Sequence, residues 1–313
     1  MTALDEEQQI STYGTGLQTT RITRRPDGTI RWHHSRGHNH TVPYPPVPDD
    51  FVARARDASD ERLRFATPTE ADASRSTWDT AGRRSAARFL LTDDDPDHHL
   101  HGILGHLGAR LAVLHAARPA PPRAAYPPAA GPARLRTWLD QGRGTRAGPG
   151  FHYQLRSRIG PARFAKLRAY TEALLEPTEH DTVLHGWLTL GSIVPPDQPG
   201  SDRPTVVLSG VEAAFGRPEA DLSSIVGEIE EFRRTAELSG TARPFLRRLT
   251  TTFLDRYGPG YDRSLVAAGA VVRVATHAHD FANYVGWHAS LHTYVPMLAD
   301  LLDRDGNTAL PDT

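Results

Sequence analysis

Residues 93–118 read DDDPDHHLHGILGHLGARLAVLHAAR, with Leu100, Ile103, Leu104, Leu107, Leu111 and Leu114 recurring at spacings of three and four. Such a stripe covers one face of a long α-helix and has to be buried against other elements. Asp93, Asp94, Asp95 and Asp97 stand at its positive end, and Arg118 with Pro119 closes it. A chain built around this helix needs a helical core, and 313 residues are enough for one large or two smaller domains.

Before the stripe, two short β-like runs flank Pro26-Asp27-Gly28, which predicts a hairpin: proline presets φ, aspartate caps the turn and glycine takes the left-handed position. Residues 43–50 are a Pro-rich connector ending in an acidic N-cap, and the stretches at 49–65 and 76–91 have mostly helical composition. After the stripe, Pro119 to Ala133 is Pro/Ala-rich and reads as extended chain. A helix is expected around residues 134–141 and a longer one from Phe151 to Glu176. Two strand-like runs follow, 183–194 and 204–215, and the remainder is helical.

Composition removes several function classes. The net charge is −1, so no global field recruits nucleic acid or an anionic membrane. No long apolar run and no basic-then-apolar leader is present, which reads as a soluble cytoplasmic protein. Cysteine is absent, excluding disulfides, thiolate metal sites and a thiol nucleophile. The sole lysine is Lys166; arginine replaces it elsewhere, as in a GC-rich, actinobacterial type of coding sequence. Chemistry that needs a lysine in the first hundred residues is excluded.

Sixteen histidines invite metal chemistry. They cluster as His33, His34, His38 and His40; as His98, His99 and His101; and as His277, His279, His288 and His292 around Asp280. His288 and His292 would share a helix face, yet neither has a spaced acid or third ligand, so no metal site is assigned. His277 or His279 beside Asp280 could instead form an acid/base pair tuned near neutral pH.

The order and spacing of three stretches resemble the aminoglycoside phosphotransferase branch of the protein-kinase-like superfamily. These are LGHLGARLAVLHAARP, VLHGWLTLGSIV and VVLSGVEAAFGRPEADLSSIVGE. In the second, His185, Gly186, Leu188, Gly191 and Ile193 match a His-Gly-Asp-Leu-His-x-Gly-Asn-Ile pattern. In the third, Gly216, Pro218, Glu219, Asp221 and Leu222 match its ending. The resemblance implies an α+β, bilobal kinase-like fold, with a small β-containing N-lobe over 1–91 and a mainly α C-lobe over 92–313 that embeds the strand pair 183–215. It implies that His185 ties the catalytic loop to nearby backbone and that Asp221 caps the following helix.

The departures fall on the chemistry. Trp187 stands where the catalytic aspartate is expected, Ser192 where the magnesium-binding asparagine is expected, and Ser209 where the second magnesium ligand is expected. His33 or His34 is the nearest match to the phosphate-pairing lysine, and Tyr13 to Thr19 lacks the full spacing of a glycine-rich loop. Phosphoryl transfer needs these groups together, so the resemblance implies a degenerate phosphotransferase homologue without nucleotide or other cofactor. Such homologues resemble those in thioamitide and class V lanthipeptide biosynthesis. The implied partner is a modified precursor peptide, with a decarboxylase, lyase or dehydratase beside it. The implied chemistry is thioether closure, with His185, His279 and Asp280 as proton-handling candidates and Trp187, Ser192, Ser209 and His33 lining the cleft. A non-catalytic scaffold and an atypical small-molecule kinase are the alternatives.

Overall fold

The computed structural model describes residues 7–40, 42–93, 96–117, 125–198, 200–241 and 243–311. The N-lobe opens with a meander of β1 (Gln8–Gly14), β2 (Gln18–Arg24) and β3 (Ile30–Arg36). The β2–β3 turn is the expected one: Gly28 has φ +84° and the Thr29 amide donates to Asp27 Oδ1 at 2.9 Å. Helix α1 (Asp49–Asp57) follows, then β4 (Leu63–Ala66), β5 (Glu70–Ala71) and β6 (Arg75–Thr80). The main sheet runs β1-β2-β3-β6-β5.

Two stretches expected to be helical are split. Within 49–65 the helix stops at Asp57 and the chain re-enters as β4; within 76–91, β6 precedes the short α2 (Ala86–Thr92). The physical reason lies in Ser76, Trp78 and Thr80, whose alternate side chains are all buried, Trp78 pairing with Trp32 across the sheet. β-branched and aromatic residues on a half-buried face outweigh the helical flanks.

The C-lobe is built on α3 (Pro96–Ala116), α4 (Ala130–Gln141) and α5 (Gly148–Leu175). Leu100, Leu104, Leu107, Leu111 and Leu114 are completely buried, each worth about 1.5–3 kcal/mol of transfer free energy. Asp94, Asp95, Arg118 and Pro119, expected at the ends of this helix, lie outside the described residues. α4 begins inside the stretch expected to be extended, and α5 is broken at Gly160, where φ is +81° ahead of Pro161.

Strands β7 (Thr182–Leu184), β8 (Ile193–Val194), β9 (Thr205–Leu208) and β10 (Ala214–Gly216) come next. Each of the two expected strand-like runs is thus divided in two. β7 pairs with β10, while β9 pairs with β8 and, in parallel, with β4 of the N-lobe, so one small sheet joins the lobes. Helices α6 (Glu219–Leu238), α7 (Phe245–Tyr257), α8 (Arg263–Asp280) and α9 (Leu291–Asp303) complete the lobe. A π-turn at Phe281–Val285 ends α8. α3 packs on α7 in the main core, which Gly108 permits: a Cβ there would stand 2.2 Å from the Phe253 carbonyl. The architecture is bilobal α+β. No helix among the described residues is long and apolar enough to cross a membrane.

Candidate functional site

The loop after β7 is held from beneath. Gly186 takes φ +90°, and a Cβ there would stand 1.8 Å from the Glu212 carbonyl, so only glycine fits. Asp221 receives the amides of His185 at 2.7 Å and Gly186 at 2.9 Å, and bonds His115 Nε2 at 3.1 Å. It lies in the first turn of α6 but satisfies this loop instead of capping its own helix, the role expected for it. Burial alone would raise its pKa; the His115 hydrogen bond and charge, with His185 and the Gly186 amide, hold it below the usual carboxylate range.

His185 itself is 3% exposed, with Nε2 on the Leu208 carbonyl at 3.0 Å, and burial lowers its pKa. That is a tie between loop and strand. It leaves His185 poorly placed for the proton-handling role considered from the sequence.

The nucleotide-handling positions are turned onto the protein. Trp187 is half-buried, and the guanidiniums of Arg134 and Arg273 lie over its ring at 5.2 and 5.1 Å from the ring centre. Gly131 makes room for it, since a Cβ there would meet the indole at 2.0 Å. Ser192 Oγ donates to the Thr189 carbonyl at 2.7 Å, and Ser209 Oγ donates to the Val207 carbonyl at 2.9 Å. Neither hydroxyl faces a common centre. The Gly16 amide, in the β1–β2 turn expected over phosphates, donates to the Tyr284 carbonyl at 2.8 Å.

His33 faces the outer side of the sheet, against Thr23 Oγ1 at 3.0 Å and Glu7 at 3.3 Å, so it does not line the cleft as expected. Strand alternation places its neighbour His34 with Trp32 and Arg36 on the inner face. Burial, then the neighbouring His33, lowers the His34 pKa to about 4, so it is neutral at pH 7. The space under the sheet is filled by Trp32 and Trp78, packed on Val194, Val206 and Leu208. Their indole N–H groups donate to Gly82 at 2.9 Å and to Ala66 at 3.0 Å.

These residues do not fit a magnesium–nucleotide. Hard cations want carboxylate oxygens, and the indole and the two back-bonded hydroxyls supply none. Among the described residues, no group of three or more His, Asp or Glu side chains is placed to hold a metal ion. His277 bonds Glu231, His288 bonds Ser290 and His292 meets the Trp287 ring, so the C-terminal histidines diverge. The His98 side chain lies outside the described residues.

What the cleft keeps is a set the sequence reading partly missed. Asp280 receives Arg134 Nη2 at 2.9 Å and Nε at 3.4 Å, and bonds His279 Nδ1 at 2.8 Å. Against the effect of burial, the Arg134 charge and His279 hold Asp280 far below the carboxylate range. His279 is buried against Trp138, so His279 and Asp280 fix Arg134 instead of opening to solvent. Half-buried Glu212 lies in the field of the same guanidinium: burial pushes its pKa up, Arg134 opposes this and Asp280 adds to it. Tyr284 and Tyr44 lie within the field of this group. Glu212 sits inside one of the matched stretches, three residues past Ser209, and that carboxylate was the one available signal.

No family model matches the chain, and no curated protein sequence matches it. Among solved structures it is similar to a spectinomycin phosphotransferase in complex with ADP and spectinomycin, at 9% identity over 96% of this chain and 92% of that one, with a TM-score of 0.56. It is also similar to an amicoumacin kinase in complex with AMP-PNP, Ca2+ and Ami, at 12% identity over 98% and 90% of the two chains, with a TM-score of 0.53. At these identities the likeness is one of fold: this is the kinase-like fold of small-molecule phosphotransferases.

Proposed function

We propose that the chain is a kinase-fold protein that transfers no phosphate and instead closes thioether rings in a ribosomally made peptide. The reading is supported by one observation above all: every group expected to handle nucleotide is engaged by the protein itself, while the half-buried carboxylate of Glu212 remains in the field of Arg134, the arginine that lies over the Trp187 ring.

Addition of a cysteine thiol to a dehydroamino acid suits that remainder. The thiol S–H loses its proton to the Glu212 carboxylate, sulfur bonds to Cβ, and the Cα=Cβ π bond opens toward the carbonyl. Arg134 stabilises the enolate-like oxygen, and Glu212 returns the proton to Cα. The addition consumes neither an oxidant nor a nucleotide. Trp187 supplies a flat wall against which the peptide is held in a reactive pose. His279 and Asp280 are positioning residues for Arg134.

The reaction does not change mass, so it is read by loss of an alkylatable thiol when the purified chain is incubated alone with a dehydrated, cysteine-bearing peptide. The expected result is ring closure without ATP, slowed about 100-fold or more in Glu212→Gln. Closure at the normal rate in that variant contradicts the reading.

A second reading is a scaffold that binds a leader peptide or a partner dehydratase, decarboxylase or lyase. It draws on an open polar groove of about 1240 Å³ between α3, α7 and the β8–β9 connection, lined by Arg62, His101, His106, Asp202 and Arg256. Ring closure only with a partner enzyme present favours it.

A further inference from the structure

A second charged cluster reaches Trp187 through Arg273. Three helices build it: α6 supplies Glu228 and Glu231 on one face, α8 supplies Arg273 and His277 on one face, and α9 supplies Tyr294. Glu228, Glu231, Arg273 and Tyr294 are buried, whereas the His277 side chain is 44% exposed and is the member that meets solvent.

The pairing within the cluster is uneven. A carboxylate only accepts, so His277 Nδ1 carries a proton and donates it to Glu231 Oε1 at 2.5 Å, where the Tyr294 hydroxyl also donates. Glu231 Oε2 has no hydrogen-bond partner among the described residues and stands 4.0 Å from Arg273 Nη1. Arg273 Nη2 is 3.5 Å from Glu228 Oε2, which already accepts the Leu190 amide at 2.8 Å. The guanidinium thus stands between two carboxylates of one helix turn and is closed on neither, 5.1 Å from the centre of the Trp187 ring. Arg273 and Trp187 also line one small cavity with Ser224 and Thr276, so the packing around the guanidinium is incomplete.

Charge decides which carboxylate holds Arg273. Burial disfavours the His277 cation, but the Glu231 charge and hydrogen bond outweigh it and raise the pKa above the ordinary imidazole value. Charged His277 answers Glu231, which leaves Arg273 to Glu228 and the indole. When His277 gives up its Nε2 proton, Nδ1–H still bonds Glu231 but the positive charge is gone. Glu231 is then a buried carboxylate short of a cation, and Arg273 Nη1 faces its free oxygen.

We propose that His277 and Glu231 are positioning residues that act through Arg273 as a proton-operated switch on Trp187, holding the indole and its loop while His277 is charged and releasing them when it is neutral. The groups facing His277 are Glu231 and Glu228 from α6, Arg273 from its own helix and Tyr294 from α9. The held state is complete below the unfolded imidazole value of about 6.5 and is lost as pH rises through the higher folded value. That the switch moves a wall facing a peptide rests on the ring-closure reading; the switch itself does not.

Fluorine NMR on the intact chain labelled with fluorotryptophan tests it, with the Trp187 signal assigned by Trp187→Phe, beside a carbon NMR titration of the histidine rings assigned by His277→Gln. The Trp187 and His277 signals should move with one midpoint above about pH 6.5. The Trp187 movement should vanish in His277→Gln and in Glu231→Gln, while the other tryptophan signals keep their wild-type pH behaviour. A Trp187 signal that stays flat while His277 titrates, a Trp187 movement that survives in folded His277→Gln, or a His277 midpoint below the ordinary value overturns the proposal. The first and last of these need only the wild-type chain, so a variant that fails to fold does not shelter it. No turnover enters: coupled movements without ring closure fail the ring-closure reading alone, and ring closure with a flat Trp187 signal fails this one alone.

Discussion

Two polar regions are built on opposite terms: in the C-lobe, the loop after β7, and in the N-lobe, the connection leaving β3. Beneath the loop, both oxygens of Asp221 are used, by His185, Gly186 and His115. In the connection leaving β3, Arg36, Asn39, His40 and Tyr44 leave buried atoms unmatched among the described residues. In the first region the carboxylate is fully paired and only His185 Nδ1 is buried without a partner among the described residues, so the region serves shape. The second leaves several polar atoms unpaired among the described residues, at a cost in stability.

That contrast can be broken by mutation. Asp221→Ala should have the largest effect, a loss of about 3–5 kcal/mol in denaturant unfolding, because it leaves loop amides and His115 buried and unpaired. A loss below about 1 kcal/mol would show that the lower region is not the anchor. The same residue predicts acid sensitivity. Its folded pKa lies below its unfolded value of about 3.9, so its contribution is complete above that pH and fades as pH falls through the depressed value. Asp280 adds a contribution of the same sign. A pH series of unfolding midpoints should therefore drop below about pH 4, and the drop should be shallower in Asp221→Asn.

Gly131→Ala comes next. The added methyl collides with the Trp187 ring, and about 1–3 kcal/mol should be lost, with a change in near-ultraviolet circular dichroism. Combining it with Trp187→Ala should return most of that loss; additive losses would place the indole elsewhere. Tyr44→Phe should be the smallest and of opposite sign, neutral or stabilising by up to about 1 kcal/mol, since the deleted hydroxyl has no partner among the described residues. A clear destabilisation would make the connection leaving β3 part of the scaffold.

Much of the scaffold could be read in the sequence. The leucine stripe of α3 is periodic enough to stand alone, and Pro26-Asp27-Gly28 carries its turn chemistry locally. The matched loop pointed to His185 as a tie between loop and backbone, and its Nε2 bond to Leu208 is that tie. Strand β6 was hidden because its burial comes from packing on β3 and β9, contacts that no local window contains. The cleft was harder still. Arg134 reads as one more exposed arginine in a helix until Asp280, far along the chain, closes on it. Arg36 and Tyr44 look like a strand end and a Pro-rich connector until the fold buries Arg36 Nε and the Tyr44 hydroxyl. His33 and His34 differ only by the parity of a strand, which periodicity without register does not settle.

The central claim is that the nucleotide-handling groups of this kinase fold are spent on the protein itself. Thermal unfolding with and without millimolar Mg–ATP tests it most directly, since a ligand at 100 times its Kd adds about 2.7 kcal/mol to the folded state. The midpoint should be the same in both; a saturable rise of several degrees that requires magnesium would show that the fold still holds nucleotide.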